Sequence, residues 1–188
     1  GFLYCDGVYE TMRTYRGKVF QMEEHLDRLW KSAEILRMSL LWEKPQIADW
    51  IQEIILKNKY PESRVRVALT RGESLSFGAK FDPTDVAEPA LLIAVYPLPV
   101  WIPHAPVDHA DVVTFVGERL YPEVKSLNMM TNVLARLAAT DAGAYEALLV
   151  NRNGEVTEGA GTNFYIVKNG VLITPDREIL LGTVRKVI

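Results

Sequence analysis

The stretch "GVYETMRTYRGKVFQMEEHLDRLW" (7–30) changes its hydrophobic period from two to about 3.6 within one continuous run. Apolar and polar residues alternate on both sides of Arg16-Gly17, which predicts a β-hairpin. Acidic residues then open an amphipathic helix. The apolar residues that recur there at helical spacing are Leu26, Leu29, Trp30, Ala33 and Leu36. A hairpin followed by such a helix indicates an α+β fold.

The segments that follow extend this pattern to about residue 96. Pro45 can open a second helix, because proline suits the first helical turn. Its predicted buried residues are Ile47, Trp50, Ile51, Ile54 and Ile55. "RVRVALTRG" (64–72) and "PALLIAVYPL" (89–98) are predicted strands. "PLPVWIPHAP" (97–106) contains four prolines, which predicts a stiff interdomain linker.

The second half predicts a β-rich domain. "DVVTFVGE" (111–118) is a predicted strand, and a helix is predicted from just after Lys125 to about Gly143. Two hairpins are predicted at Asn153-Gly154 and Asn169-Gly170, since Asn-Gly is the strongest short hairpin signal. We therefore expect a small N-terminal α/β domain over 1–96, a linker over 97–106 and a larger second domain over 107–188. Both ends are abrupt, so we expect a fragment that is poorly active alone.

Composition narrows the functional classes. The 188 residues are 48% hydrophobic and 24% charged, with a net charge of −3, which is typical of a globular protein. The absence of a basic run argues against nucleic-acid binding, and the absence of a long apolar run argues against a membrane span. One cysteine permits no intrachain disulfide and favours a reducing, cytoplasmic setting. The spacing of Cys and His predicts no metal site.

Lys125 stands at the head of "VKSLNMMTNVLARLAATDAG" (124–143), in which no other charge occurs before Arg136. The structural explanation is a surface lysine ahead of a helix for which Ser126 is an acceptable cap. The chemical explanation is an amine placed among apolar residues, where its neutral and nucleophilic form is favoured.

Arg28 and Glu158 likewise have both a structural and a chemical explanation. Arg28 flanks the apolar stripe of the first helix, where it could simply cover the core with its stem. Glu158 ends a strand at Gly-Ala-Gly and could be a solvated turn residue. Together with Lys125 and a helix start at Gly182-Thr183, however, they are the parts of a pyridoxal phosphate site. Such a site needs a lysine, a carboxylate for the ring nitrogen, and cations or helix amides for the phosphate.

Five blocks in order carry a resemblance to a known family. They are "DGVYETMRTYRGKVFQMEEHLDRLWKSAEIL" (6–36), "RVALTRG" (66–72), "VKSLNMMTNVLA" (124–135), "EALLVNRNGEVTEGAGTNFYIV" (146–167) and "LLGTVR" (180–185). The chain resembles the class IV aminotransferases, the pyridoxal-phosphate enzymes of fold type IV. These include branched-chain and D-amino acid aminotransferases and aminodeoxychorismate lyase. The resemblance implies a two-domain α+β enzyme that forms a homodimer or a larger homo-oligomer.

The resemblance also implies roles for particular residues. Lys125 matches the lysine that carries the cofactor, Glu158 the glutamate at the pyridine nitrogen, and Arg28 the arginine on the phosphate. The other matches are cofactor-binding positions at Thr162, Asn163, Thr183 and Val184 and substrate-pocket positions at Tyr4 and Tyr9. In "GTVR" the threonine and the aliphatic residue are exchanged relative to the usual family order.

The motifs point to different members of the family. "KSLN" (125–128) resembles the D-amino acid branch, but no arginine and histidine follow "TRG" (70–72) as they do in that branch. "EGAGTN" (158–163) resembles the branched-chain enzymes. We expect transamination between an L-branched-chain amino acid and a 2-oxo acid. The alternatives are a D-amino acid aminotransferase, a lyase, and an inactive dimerising fragment.

Overall fold

The computed structural model of the protein describes residues 1, 4–73, 75, 82–98 and 109–188. These residues form two compact units. The first unit is Gly1–Val100 together with Val124–Asn128, and the second is Trp101–Glu123 together with Met129–Ile188. Residues 99–106 of the predicted linker lie outside the described residues, so the linker and the domain boundary stay predictions.

The first unit is built on a four-stranded sheet. In chain order its elements are β1 (Gly7–Tyr15), β2 (Lys18–Val19), α1 (Met22–Ile35), α2 (Lys44–Asn58), β3 (Ser63–Thr70) and β4 (Ala90–Pro97). The strand order is β2-β1-β3-β4, and all neighbours are antiparallel. The hairpin at Arg16-Gly17, both helices and both later strands are thus confirmed.

The core of this unit lies between the helices and the side chains on one face of β1 and β3. Side chains on a strand point to opposite faces in turn, so every second residue of β1 and β3 faces the helices. Val8, Met12, Val65 and Val67 are buried there against apolar residues of α1 and α2. The helical residues fully buried with them are Leu26, Leu29, Ala33, Ile47, Ile51 and Ile55. Trp50 and Ile54, predicted to be buried, are only half-buried.

The second unit has a smaller core. It contains β5 (Val112–Val116), α3 (Met130–Asp141), β6 (Glu146–Val150), β7 (Val156–Gly159), β8 (Ile166–Lys168), β9 (Val171–Ile173) and α4 (Thr183–Val187). β5 pairs with β6 in parallel and β6 with β7 antiparallel, while β8 and β9 form a separate hairpin. The buried core residues are Ala135, Ala139, Ala147, Leu149 and Ala160. The turns at Asn153-Gly154 and Asn169-Gly170 are confirmed.

The start of α3 differs from the sequence prediction. The helix begins at Met130 rather than next to Lys125, and Ser126 does not cap it. Residues Val124–Asn128 instead run along β1, where Ser126 forms an antiparallel bridge with Val8. Hydrogen bonds to a strand distant in sequence therefore outweigh the local helical preference of this segment.

Candidate active site

The predicted site residues divide between the two units. Lys125, Arg28, Tyr4 and Tyr9 belong to the first unit. The second unit contains Glu158, Thr162, Asn163, Thr183 and Val184. The structure therefore defines the surroundings of each set separately.

Lys125 is fixed through its backbone and directed at an aromatic ring. Its carbonyl oxygen accepts a hydrogen bond from Tyr9 N at 2.9 Å, and its own N–H donates to Ser32 Oγ at 3.2 Å. Its Nζ lies over the Tyr9 ring, 4.8 Å from the centroid. An ammonium group at this distance interacts favourably with the ring face. The structure thus brings together two residues singled out in the sequence.

The Tyr9 ring also contacts a second cation. The Arg66 guanidinium carbon lies 4.0 Å from the ring centroid. Tyr9 itself is buried, whereas Tyr4, the other predicted pocket residue, is 52% exposed. Two positive side chains of the first unit therefore lie close to one buried ring.

Arg28 belongs to a buried cluster around Glu10. Arg28 Nε donates to Glu10 Oε1, and an Arg28 terminal nitrogen, Nη2, donates to Oε2, each at 2.7 Å. His25 Nδ1 lies 2.7 Å from the same Oε2. The Glu10 carboxylate is fully buried and lies between Val8 and Met12 on the core face of β1. This bidentate pairing fixes the plane of the guanidinium group.

The electrostatics of the cluster favour an ionised Glu10. Burial raises the pKa of the Glu10 carboxyl, but hydrogen bonds and charges from Arg28 and His25 outweigh it. The pKa of Glu10 therefore lies below its ordinary value. Sequence reasoning missed Glu10. The signal was its place in an alternating strand, because a carboxylate on an apolar face requires a buried partner.

Glu158 is the buried carboxylate of the second unit. Arg119 Nη1 lies 2.6 Å from Glu158 Oε1, and Leu180 N donates to Oε2 at 3.0 Å. The two side chains are almost entirely buried. Glu158 also lines a cavity of about 130 Å³ together with Arg119, Leu149 and Thr157. Arg119 was not predicted, and its segment carries no periodic pattern that would indicate the pairing.

Of the other predicted site residues in the second unit, some are linked to Glu158 and others are directed away from it. Asn163 Nδ2 donates to Leu180 O at 2.8 Å, so Leu180 links Asn163 with Glu158 through its backbone. Thr183 begins α4 and is buried, whereas the Val184 side chain is exposed. The Thr162 hydroxyl is directed elsewhere, 3.3 Å from Glu146 Oε2. The second unit thus brings Asn163 and the loop before α4 to the buried carboxylate.

Each unit, taken by itself, offers groups of the kind that pyridoxal phosphate requires. The first unit offers an amine with a fixed backbone and an arginine of fixed orientation. The second offers a buried carboxylate, the acceptor that a protonated ring nitrogen requires. Among the described residues, no cluster of His, Cys, Asp and Glu could hold a metal ion. The described helices include none long and apolar enough to cross a membrane.

Comparison with known proteins defines the class. Residues 7–188 match the family described as amino-transferase class IV, so the chain belongs to the class IV aminotransferases. A Methanocaldococcus jannaschii protein provisionally named a branched-chain-amino-acid aminotransferase is 37% identical over 100% of this chain. The D-alanine aminotransferase of Bacillus licheniformis is 31% identical over 93% of the chain.

Solved structures show the same fold. The branched-chain amino acid aminotransferase of Escherichia coli is 25% identical and superposes with a TM-score of 0.87 over 98% of this chain. A T.th. branched-chain amino acid aminotransferase with pyridoxamine 5'-phosphate is 26% identical, also with a TM-score of 0.87, over 99% of this chain. The fold is thus that of the fold type IV aminotransferases. The chain spans 66% and 60% of the two curated relatives and 64% of each of these structures.

Proposed function

We propose that the protein is a pyridoxal-phosphate-dependent aminotransferase that exchanges an amino group between an amino acid and a 2-oxo acid. The observation that carries this proposal is the setting of Lys125. Its backbone is bound on both sides to β1 and α1, and its amine lies over the Tyr9 ring. A fixed main chain and a defined amine position suit a lysine that must meet a bound group in one geometry.

Residues from each unit would contact the cofactor. Lys125 would bind it covalently, and Arg28 would pair with the phosphate through a guanidinium group that Glu10 orients. Glu158 would accept a hydrogen bond from the protonated ring nitrogen. Thr183 and the backbone at Val184 would bind the phosphate. Asn163 would lie nearby through its contact with Leu180, whereas a cofactor role for Thr162 would require its hydroxyl to leave Glu146. Tyr9 and Tyr4 would border the substrate.

Lys125 and Glu158 would have different roles in the reaction. When bound, the cofactor supplies an electron sink for the carbanion formed at the substrate's α-carbon. Lys125 Nζ, in its neutral form, can accept the proton of that α-carbon and return it at another position. The Glu158 carboxylate, paired with Arg119, can stabilise a positive charge on the ring nitrogen. Burial of Glu158 strengthens this interaction by excluding water.

The substrate we favour is an L-branched-chain amino acid. The support is the 37% identity with the Methanocaldococcus jannaschii relative and the "EGAGTN" motif at 158–163. A D-amino acid is the second candidate, favoured by the "KSLN" motif at 125–128 and the 31% identity with a D-alanine aminotransferase. We also propose a homodimer or larger homo-oligomer, in keeping with the resemblance, and a cytoplasmic location, in keeping with the single cysteine.

A borohydride experiment tests the proposal. The protein is mixed with pyridoxal phosphate, reduced, digested and analysed by mass spectrometry. We expect the pyridoxyl group on the peptide that contains Lys125, with its loss in Lys125→Arg and its retention in Lys168→Arg. Lys168 is a matched control because it is an exposed lysine of the second unit. Labelling at another lysine contradicts the proposed mechanism, and turnover of L- and D-amino acids then separates the substrate candidates.

A further inference from the structure

Residues Val124–Asn128 are attached to the rest of the first unit by three backbone hydrogen bonds. Tyr9 N donates to Lys125 O and Leu127 N donates to Gly7 O at 2.8 Å. These two bonds form the antiparallel bridge between Ser126 and Val8, which attaches the segment to β1. The third comes from the helix, because Lys125 N donates to Ser32 Oγ. The segment therefore depends on a strand and a helix that lie far before it in the sequence.

The two neighbours Val124 and Lys125 point in different directions. Val124 is fully buried and belongs to the core formed by β1, β3 and the helices. Lys125 Nζ lies instead over the ring of Tyr9, which is not part of that core cluster. Because the Lys125 N–H and carbonyl oxygen are both hydrogen-bonded, its main chain fixes the direction in which the side chain starts.

Ser32 binds the backbone atom at the centre of this arrangement. It is buried and lies one helical turn after Arg28, on the side of α1 that also carries His25. Its hydroxyl oxygen accepts the Lys125 N–H, whereas Lys125 O and Leu127 N are hydrogen-bonded to β1. An unsatisfied N–H in this partly buried place is costly, so removal of the hydroxyl favours a different backbone orientation.

We propose that Ser32 is a positioning residue for Lys125: its hydroxyl holds the Lys125 main chain so that the amine faces the cofactor. Helix α1 would then align both Arg28, through its own side chain, and Lys125, through Ser32. The proposal rests on the role given to Lys125 above. It predicts that loss of the Ser32 hydroxyl slows the reaction of the Lys125 amine with the cofactor. Binding of the ring and phosphate of the cofactor should be unchanged.

Amide hydrogen exchange tests the contact directly and does not depend on the function. In Ser32→Ala, exchange of the Lys125 amide is expected to accelerate about fivefold, the factor that corresponds to one net hydrogen bond. Ser63→Ala is the matched control. Ser63 is also a buried serine of the first unit, but within the described part of the chain its hydroxyl has no hydrogen-bond partner. Unchanged exchange at Lys125 in Ser32→Ala, or equal acceleration in Ser63→Ala, overturns the proposal.

A binding experiment tests the consequence for the lysine. Timed reduction with borohydride should show capture of pyridoxal phosphate by Lys125 slowed about fivefold in Ser32→Ala and intermediate in Ser32→Cys, whose sulfur is a weaker acceptor. Affinity for pyridoxamine 5'-phosphate, which has no aldehyde for the amine, should stay unchanged. Weaker binding of this probe with unchanged capture overturns the proposal.

The two experiments distinguish a failure of the proposed function from a failure of the role given to Ser32. If the wild-type chain carries no label at Lys125, the proposed function fails, and amide exchange alone decides whether Ser32 positions that backbone. If the wild-type chain is labelled at Lys125 and the Ser32 variants are captured at the same rate, the function stands and the role of Ser32 is wrong. Thermal unfolding of each variant shows whether the fold is retained.

Discussion

The Lys125 amine lies 4.8 Å from the centroid of the Tyr9 ring and over its face. Lys125, which was expected among apolar residues, thus has an aromatic neighbour, and the face of an aromatic ring attracts a cation more than an aliphatic side chain does. The ring also restricts where the amine can move. Tyr9 therefore helps to define the position of the Lys125 amine.

Substitutions of Tyr9 should distinguish the contribution of its ring from that of its hydroxyl group. Tyr9→Phe keeps the face that Lys125 contacts, so we expect capture of pyridoxal phosphate at a rate close to that of the wild type. Tyr9→Leu removes the face, and we expect slower capture with a loss of about 2 kcal/mol or more of stability, since Tyr9 is buried. Timed borohydride trapping and urea unfolding measure the two effects. Equal capture by both variants would show that the ring is unimportant.

Glu10 should make the stability of the protein depend on acid pH. Its pKa is lowered from 4.5 in the folded chain, so below pH 4.5 the unfolded chain binds more protons than the folded one. The contribution of Glu10 is complete above its unfolded pKa and is lost as pH falls through its folded pKa. Urea unfolding between about pH 6 and about pH 3 should show a shallower acid loss in Glu10→Gln. Glu34→Gln, at an exposed carboxylate of α1, should leave the acid loss unchanged.

Arg28→Ala should weaken cofactor binding and folding together. The phosphate would lose a charge-assisted contact worth about 1.5–3 kcal/mol. Glu10 would lose its bidentate partner in a buried site, which costs about 3–5 kcal/mol of stability. Calorimetric titration with pyridoxamine 5'-phosphate and urea unfolding check both quantities, with Lys31→Ala as an exposed control on the same helix. An affinity equal to that of the wild type would contradict the phosphate role.

Glu158→Gln should retain bound cofactor but strongly slow proton abstraction. The amide keeps the shape of the carboxylate and can still accept from Leu180 N, but it cannot balance Arg119. Stability should therefore fall as well, because Arg119 remains charged in a buried position. Single-turnover measurement and urea unfolding test this pair of effects. Asp176→Asn, at an exposed carboxylate, is the control, and unchanged turnover in Glu158→Gln would rule out its role.

Gly7→Ala should disturb the attachment of the lysine segment. A Cβ at this position would lie 2.5 Å from Leu69 O and 2.7 Å from Leu127 Cδ1. Backbone atoms on one side and Leu127 on the other must then move, at a cost of about 1–3 kcal/mol. Urea unfolding measures this loss. Gly161→Ala, which meets open space, should be nearly neutral, and equal stability of the two variants would contradict the prediction.

Local patterns predicted most of the secondary structure. The apolar spacing of Leu26, Leu29 and Ala33 defines α1, because burial along one face and helix formation have the same period. The Asn-Gly pairs define both hairpins because they favour the required turn. The family motifs singled out Lys125 and Glu158 as expected cofactor residues without any knowledge of their partners.

Pairs distant in sequence could not be predicted in this way. The contacts of Glu10 with Arg28, Glu158 with Arg119, and Lys125 with Ser32 join elements whose approach depends on the whole fold. The segment Val124–Asn128 has no alternating pattern of its own, and its sequence favours a helix after Lys125. Its conformation depends on contacts with β1 and α1, not on its composition.

The place of Val124–Asn128 within the first unit has a consequence for dissecting the protein. The chain passes between the units three times, so a single cut cannot separate them into intact pieces. An excised fragment ending at residue 98 would lack Val124 and leave a vacancy in its core. A short synthetic peptide spanning 122–129 could fill that vacancy in trans, so that Lys125 could be replaced by exchanging the peptide alone.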